Sequence, residues 1–140
     1  MPIANVAVLV SGGGTNLQSV IDAAESGEIN AKICAVISSK EGVYALERAK
    51  KHGIFGAVVS RRAYNSQQEF EEALIKTLSD AGTDYIVCAG YLSIIGESII
   101  EKYRNRIINV HPALIPSFCG KGYYGDKVHK AAIEIGRAHV

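Results

Sequence analysis

The sequence predicts an α/β protein built on a doubly wound parallel sheet of about five strands with flanking helices. Three observations predict it. Apolar runs alternate with segments of helical periodicity along the chain. The first run, Ile3 to Val10, is apolar almost without a break, as suits a strand covered on both faces. Glycine follows strand after strand where a turn is needed, most densely in Ser11-Gly12-Gly13-Gly14.

The elements follow in order. After the glycines, Thr15 or Asn16 is placed to cap a helix carrying Leu17, Val20, Ile21 and Ala24 on one face, with Gly27 at its end. Ile33 to Ile37 is a second strand, Tyr44 to Lys51 a short helix stopped by Gly53, and Gly56 to Val59 a short third strand. Ser66, with Glu69 three residues on, forms a capping box for the longest helix. That helix runs to about Ala81 and buries a stripe of Phe70, Ala73, Leu74, Thr77 and Leu78, with Gly82 as its stop. Tyr85 to Ala89 is the fourth strand, Glu97 to Tyr103 a helix, Ile107 to Val110 the fifth strand and Lys127 to Ile135 a last helix. In such sheets ligands gather at the carboxyl ends of the strands, where strand order reverses. The glycine turn, Gly90-Tyr91-Leu92 and Asn109-Val110-His111 are therefore expected on one rim.

The chain has 140 residues, the size of one domain, and its 21% charged residues leave a formal net charge of +1. That balance gives no electrostatic reason to expect nucleic acid or an anionic membrane as partner. The apolar runs fall short of the roughly 20 residues of a membrane span, and the N-terminus lacks the basic region of a signal peptide. The expected location is the cytoplasm. Cys34, Cys88 and Cys119 are odd in number and lack metal-ligand spacing, so neither a disulfide framework nor a metal site is expected. Cys34 and Cys88 read as small core residues, while Cys119 sits in a loop with an open role.

The glycine turn offers close backbone approach and a helix N-terminus, a setting for an anion. It is not a Walker phosphate loop, since no Lys-Ser or Lys-Thr follows, and Leu17 stands where a dinucleotide fingerprint has its last glycine. The second strand ends Ile37-Ser38-Ser39-Lys40 with no acid for an adenosine ribose. A small phosphate ester fits better than NAD or ATP; the plainer reading is a tight strand-to-helix turn and nothing more.

Asn109 and His111 stand two apart at a strand end, so their side chains share a side of the pleat. Imidazole moves protons near neutral pH and an amide donates to a developing oxyanion, which points to acyl-type chemistry. The plainer reading of His111 is a ring satisfied by a backbone carbonyl. His129 is a surface residue or a second line of the site, and His52, in the last turn of a helix, is structural. Ser117 to Gly125, with three glycines and three aromatics, reads as a loop able to cover a ligand, or as ordinary surface. Arg61-Arg62 and Lys50-Lys51 read as solvated faces.

Three stretches together resemble one family: Val10-Ser11-Gly12-Gly13-Gly14-Thr15-Asn16-Leu17, Ala89-Gly90-Tyr91-Leu92, and Ile108-Asn109-Val110-His111-Pro112-Ala113-Leu114-Ile115-Pro116. The chain is similar to the folate-dependent phosphoribosylglycinamide formyltransferases of purine biosynthesis, over residues 1–136, and Phe118 to Gly125 is similar to a bacterial branch of them. The resemblance implies a Rossmann-like formyltransferase fold. It also implies formyl transfer from 10-formyltetrahydrofolate, as co-substrate, to the amine of glycinamide ribonucleotide, with no metal. Gly14, Thr15 and Asn16 would hold the ribonucleotide phosphate. Leu92, Ser93, Ile94 and Ile95, with Asn109, would contact the folate. Asn109 and His111 would be the catalytic pair.

The sequence departs from the family at two places. A family arginine on the folate side is matched by Gln67, and residues 137–140 do not read like the family's continuation, which carries a catalytic Asp. From that tail we expect a C-terminally truncated chain with little activity. Its fifth strand would be left as an open edge through which copies pair into a homo-oligomer. The alternatives are a related formyltransferase or formyl-folate hydrolase, and a nonenzymatic phosphate- or nucleotide-binding module.

Overall fold

The computed structural model describes residues 3–110; the expected last helix, the Ser117–Gly125 loop, His111, Cys119, His129 and the 137–140 tail lie outside the described residues. Five parallel strands form one sheet in the order β3-β2-β1-β4-β5, the doubly wound arrangement expected. They are β1 (Ala4–Val10), β2 (Ala31–Ser38), β3 (Gly56–Val58), β4 (Tyr85–Ala89) and β5 (Ile107–Val110). Four α-helices connect them: α1 (Thr15–Ser26), α2 (Tyr44–Lys51), α3 (Gln67–Asp80) and α4 (Glu97–Lys102). A single 3-10 turn, Arg61–Ala63, precedes α3; its residues carry no apolar period, so the sequence does not signal it.

Alternation along β1 feeds two cores. Val6, Val8 and Val10 face Leu17, Val20 and Ile21 of α1 and Ala45 and Ala49 of α2. Ala7 and Leu9 face Phe70, Leu74 and Leu78 of α3 and Ile99 of α4. Because α1 and α2 cover one face and α3 and α4 the other, β1 and β4 lead their connections to opposite sides. A crevice must open between them at their carboxyl ends.

Element ends show where local chemistry departs from expectation. The strand begins at Ala4, leaving Ile3 60% exposed. Neither Thr15 nor Asn16 caps α1; Gly14 holds the cap position in left-handed backbone, φ 84°, and no side chain bonds there. The capping box at α3 forms in a shifted version. Ser66 Oγ accepts from Glu69 N at 3.1 Å, while the Glu69 carboxylate accepts from Asn65 N, one residue early.

The thiols read as core residues divide. Cys88 is buried, and burial pushes its thiol up to about 12. Cys34 is only half-buried. The β1–β2 register passes from Val6↔Ile33 to Ala7↔Ala35, so Cys34 is the extra residue of a bulge, its sulfur near Thr83 Oγ1 at 3.5 Å. Burial raises this thiol too, so both stay protonated at neutral pH.

Candidate functional site

The rim at the carboxyl ends of β1, β4 and β5 brings together the glycine turn, Gly90-Tyr91-Leu92 and Asn109. Register places Leu9 of β1 beside Cys88 of β4, and Cys88 beside Asn109 of β5. Asn109 therefore stands level with the end of β1 and two strands away, about 10 Å at ordinary strand spacing. Its neighbours Ile108 and Val110 are buried, but Asn109 itself is exposed. It shares a face of the sheet with Ile107, on the α3 and α4 side. Among the described residues β5 pairs with β4 alone.

The glycine turn is held at three successive residues by α2. Gly12 O accepts from Ala45 N at 3.4 Å, and Gly13 O from Arg48 Nε at 2.8 Å. Gly14 packs so tightly on α2 that an added Cβ would meet Ala45 Cβ at 2.8 Å. Arg48 also donates to Gln18 Oε1 at 3.1 Å. His52 Nδ1 lies 2.8 Å from the Glu25 carboxylate, so the histidine read as structural ties α2 to α1. Thr15 and Asn16 open α1, exposed and half-buried respectively, with no acidic residue in the first turn. The first amides of a helix lack intrahelical partners. An uncapped, acid-free first turn beside two open glycines is a setting for an anion.

Ser11 was legible as part of the turn, but its role was not. It is buried; its Oγ accepts from Leu92 N at 2.8 Å and lies 2.5 Å from Ser39 Oγ. One hydroxyl thus joins the ends of β1 and β2 to the loop after β4. Ser11→Ala removes the acceptor of the part-buried Leu92 amide and is expected to cost about 1 kcal/mol in urea denaturation; a change below about 0.5 kcal/mol would show that the hydroxyl holds nothing.

The β4–α4 loop, tethered by Ser11 at one end, presents apolar side chains outward: Leu92 is 76% and Ile94 75% exposed. Ser93 is half-buried and Ile95 packs on the core. The far end is tethered by Glu71 of α3. The Glu71 carboxylate accepts from Ser98 Oγ and occupies the space where a side chain at Gly96 would lie. Gly96 is the cap position of α4 and has no side chain to cap with, so α3 supplies the cap. The Ser98 hydrogen bond holds the Glu71 carboxyl below its ordinary 4.5, against the opposing effect of burial.

Gln67 does not stand alone at its position. Its Oε1 accepts from Arg61 Nε at 3.1 Å, and Arg61 also donates to Tyr64 O at 3.0 Å, so Arg61, exposed as a solvated face requires, is also held by hydrogen bonds. The Gln67 amide nitrogen is buried with no hydrogen-bond partner among the described residues.

Residues 4–140 match the family model described as formyl transferase. The chain belongs to the formyl transferase family. Within this family it is 41% identical over 134 residues to phosphoribosylglycinamide formyltransferase of Haemophilus influenzae, covering 91% of this chain and 63% of that protein. It is 34% identical to the Escherichia coli enzyme of the same name, covering 94% and 60%. The solved glycinamide ribonucleotide transformylase 1 of Geobacillus kaustophilus superposes with a TM-score of 0.76 at 33% identity, over 94% of this chain and 69% of that one. The chain thus spans somewhat less than two thirds of the length of these curated relatives. The five-stranded parallel sheet described above matches the fold of this solved relative. No helix among the described residues is long and apolar enough to cross a membrane.

Proposed function

We propose that this chain takes part in formyl transfer from 10-formyltetrahydrofolate to the amine of glycinamide ribonucleotide, in the cytoplasm, as a step of de novo purine biosynthesis. The observation that carries the reading is the shared rim. The uncapped start of α1 and the Asn109 amide end parallel strands two places apart, on either side of the crevice. The names of the relatives agree with it.

In this reading Gly14, Thr15 and Asn16 take the ribonucleotide phosphate, with backbone N–H groups and the helix dipole as the attraction. Leu92 and Ile94 offer apolar surface to the flat folate ring, while Ser93, Ile95 and Gln67 lie along the same side. The substrate amine attacks the formyl carbon and the carbonyl oxygen takes up negative charge. The Asn109 amide donates to that oxygen, and one such donor is worth about 3 kcal/mol of barrier. His111 is the group that moves the amine proton towards the departing folate nitrogen as the carbon–nitrogen bond breaks. No metal enters this scheme.

Calorimetric titration of the 140-residue chain tests both halves. Glycinamide ribonucleotide is expected to bind, and its dephosphorylated riboside to bind at least tenfold more weakly. Equal affinity for the two would remove the phosphate from the reading. Failure to bind a formylfolate analogue would remove the folate. Formyl-transfer turnover of the same chain is the direct measure of its activity.

A further inference from the structure

The peptides on either side of Gly13 are both fixed by α2. Gly12 O accepts from Ala45 N at 3.4 Å and Gly13 O from Arg48 Nε at 2.8 Å. In a planar trans peptide the N–H points opposite to the C=O. With both carbonyls turned towards α2, the amides of Gly13 and Gly14 turn together to the other side, next to the uncapped start of α1. No hydrogen bond among the described residues engages either amide. Successive free N–H groups of this kind make a concavity for an anion.

The two fixings differ in kind. Ala45 N belongs to the backbone of α2 and moves only with the helix. Arg48 is a side chain whose aim is set by others. Its Nη1 donates to Gln18 Oε1 at 3.1 Å, and its guanidinium carbon lies 4.9 Å from the centre of the Tyr44 ring. Gln18 has one way to sit. Its Nε2 donates to the Asp22 carboxylate at 3.0 Å, and Arg48 offers donors only, so the amide oxygen must face Arg48. His52 Nε2 stands 3.3 Å from the same Gln18 nitrogen, with its other ring nitrogen on Glu25. A chain of polar contacts thus runs from the far end of α1 to the Gly13 carbonyl.

We propose that Arg48 is a positioning residue for the phosphate of the ribonucleotide: it turns the Gly13–Gly14 peptide so that the Gly14 amide faces the phosphate, and Gln18 keeps it on the Gly13 carbonyl. The proposal rests on the phosphate reading above and deepens it. The guanidinium sits on the carbonyl side of the peptide that it holds, so it aims the amide without touching the anion.

The test is calorimetry on the 140-residue chain with glycinamide ribonucleotide and its dephosphorylated riboside. Arg48→Ala should lower the preference for the ribonucleotide about fivefold to tenfold, the loss of one hydrogen bond to a charged group, and leave riboside affinity unchanged. Arg48→Lys keeps the charge without the planar fork that reaches Gly13 and Gln18 together, and should fall nearly as far. Gln18→Ala should lose about twofold to threefold, and nothing further when added to Arg48→Ala, because it acts through Arg48. Lys51→Ala removes a neighbouring cation that lies over the same Tyr44 ring, and should leave the preference intact. An unchanged preference in Arg48→Ala overturns the proposal while leaving the phosphate reading standing. So does an equal loss in Lys51→Ala, which would make the charge of α2 the cause, or a full preference in Arg48→Lys. Parallel loss of both ligands in Arg48→Ala and Gln18→Ala means a purely structural role and overturns it too. No preference in the unaltered chain removes the phosphate reading and the proposal together.

Discussion

Gly14→Ala is expected to destabilise the chain by about 3 kcal/mol and to abolish ribonucleotide binding. Two costs add. A side chain in left-handed backbone costs roughly 1–2 kcal/mol, and Gly14 has φ 84°. The new methyl would also meet Ala45 Cβ at 2.8 Å and Ala45 Cα at 3.1 Å. Backbone cannot yield as a flexible side chain would, and overpacking of this kind costs about 1–3 kcal/mol. For a domain of this size the sum lowers Tm by roughly 10 °C. Relief of the clash would push α1 away from α2, moving the very amides assigned to the phosphate. Gly13→Ala is the matched control, since nothing lies within 4 Å of its added methyl and its φ is not positive. It should leave Tm within about 2 °C. Equal melting of the two variants would show that the turn is not built around Gly14.

Glu71→Ala is the second large effect, expected at about 2–3 kcal/mol. It removes the acceptor for Ser98 Oγ and leaves α4 without a cap at Gly96. It also cuts the second tether of the Leu92–Ile95 loop, so folate affinity should fall along with stability. Glu71→Gln keeps the shape and removes the charge, and it supplies a pH signature. The folded carboxyl titrates below its ordinary 4.5, because Ser98 donates to it. A depressed carboxylate stabilises the fold in full above the unfolded value and loses that contribution as pH falls through the folded one. The stability gap between the native chain and Glu71→Gln should therefore be constant from pH 8 to about 5 and shrink below 4.5. Urea denaturation at pH 7 and at pH 3.5 measures it; a gap of the same size at both values would mean that the carboxylate charge plays no part.

The strands, the helices and their order were determined by the sequence itself. Unbroken apolar runs such as Val6 to Val10 suit only strands covered on both faces, and Phe70, Leu74 and Leu78 recur at a spacing that suits only a helix. Parallel connections of one hand then place every strand's carboxyl end on the same rim, so the convergence of the glycine turn and Asn109 follows from pattern alone. What only the tertiary structure decided is the set of long-range polar partners. Ser11 meets Ser39 and Leu92, Arg48 meets Gly13, Glu71 meets Ser98, and Arg61 meets Gln67. Apolar burial has a period that a sequence displays. A hydrogen bond between residues as far apart as Ser11 and Leu92 has none, because it depends on which side chains the packed helices bring within 3 Å of one another.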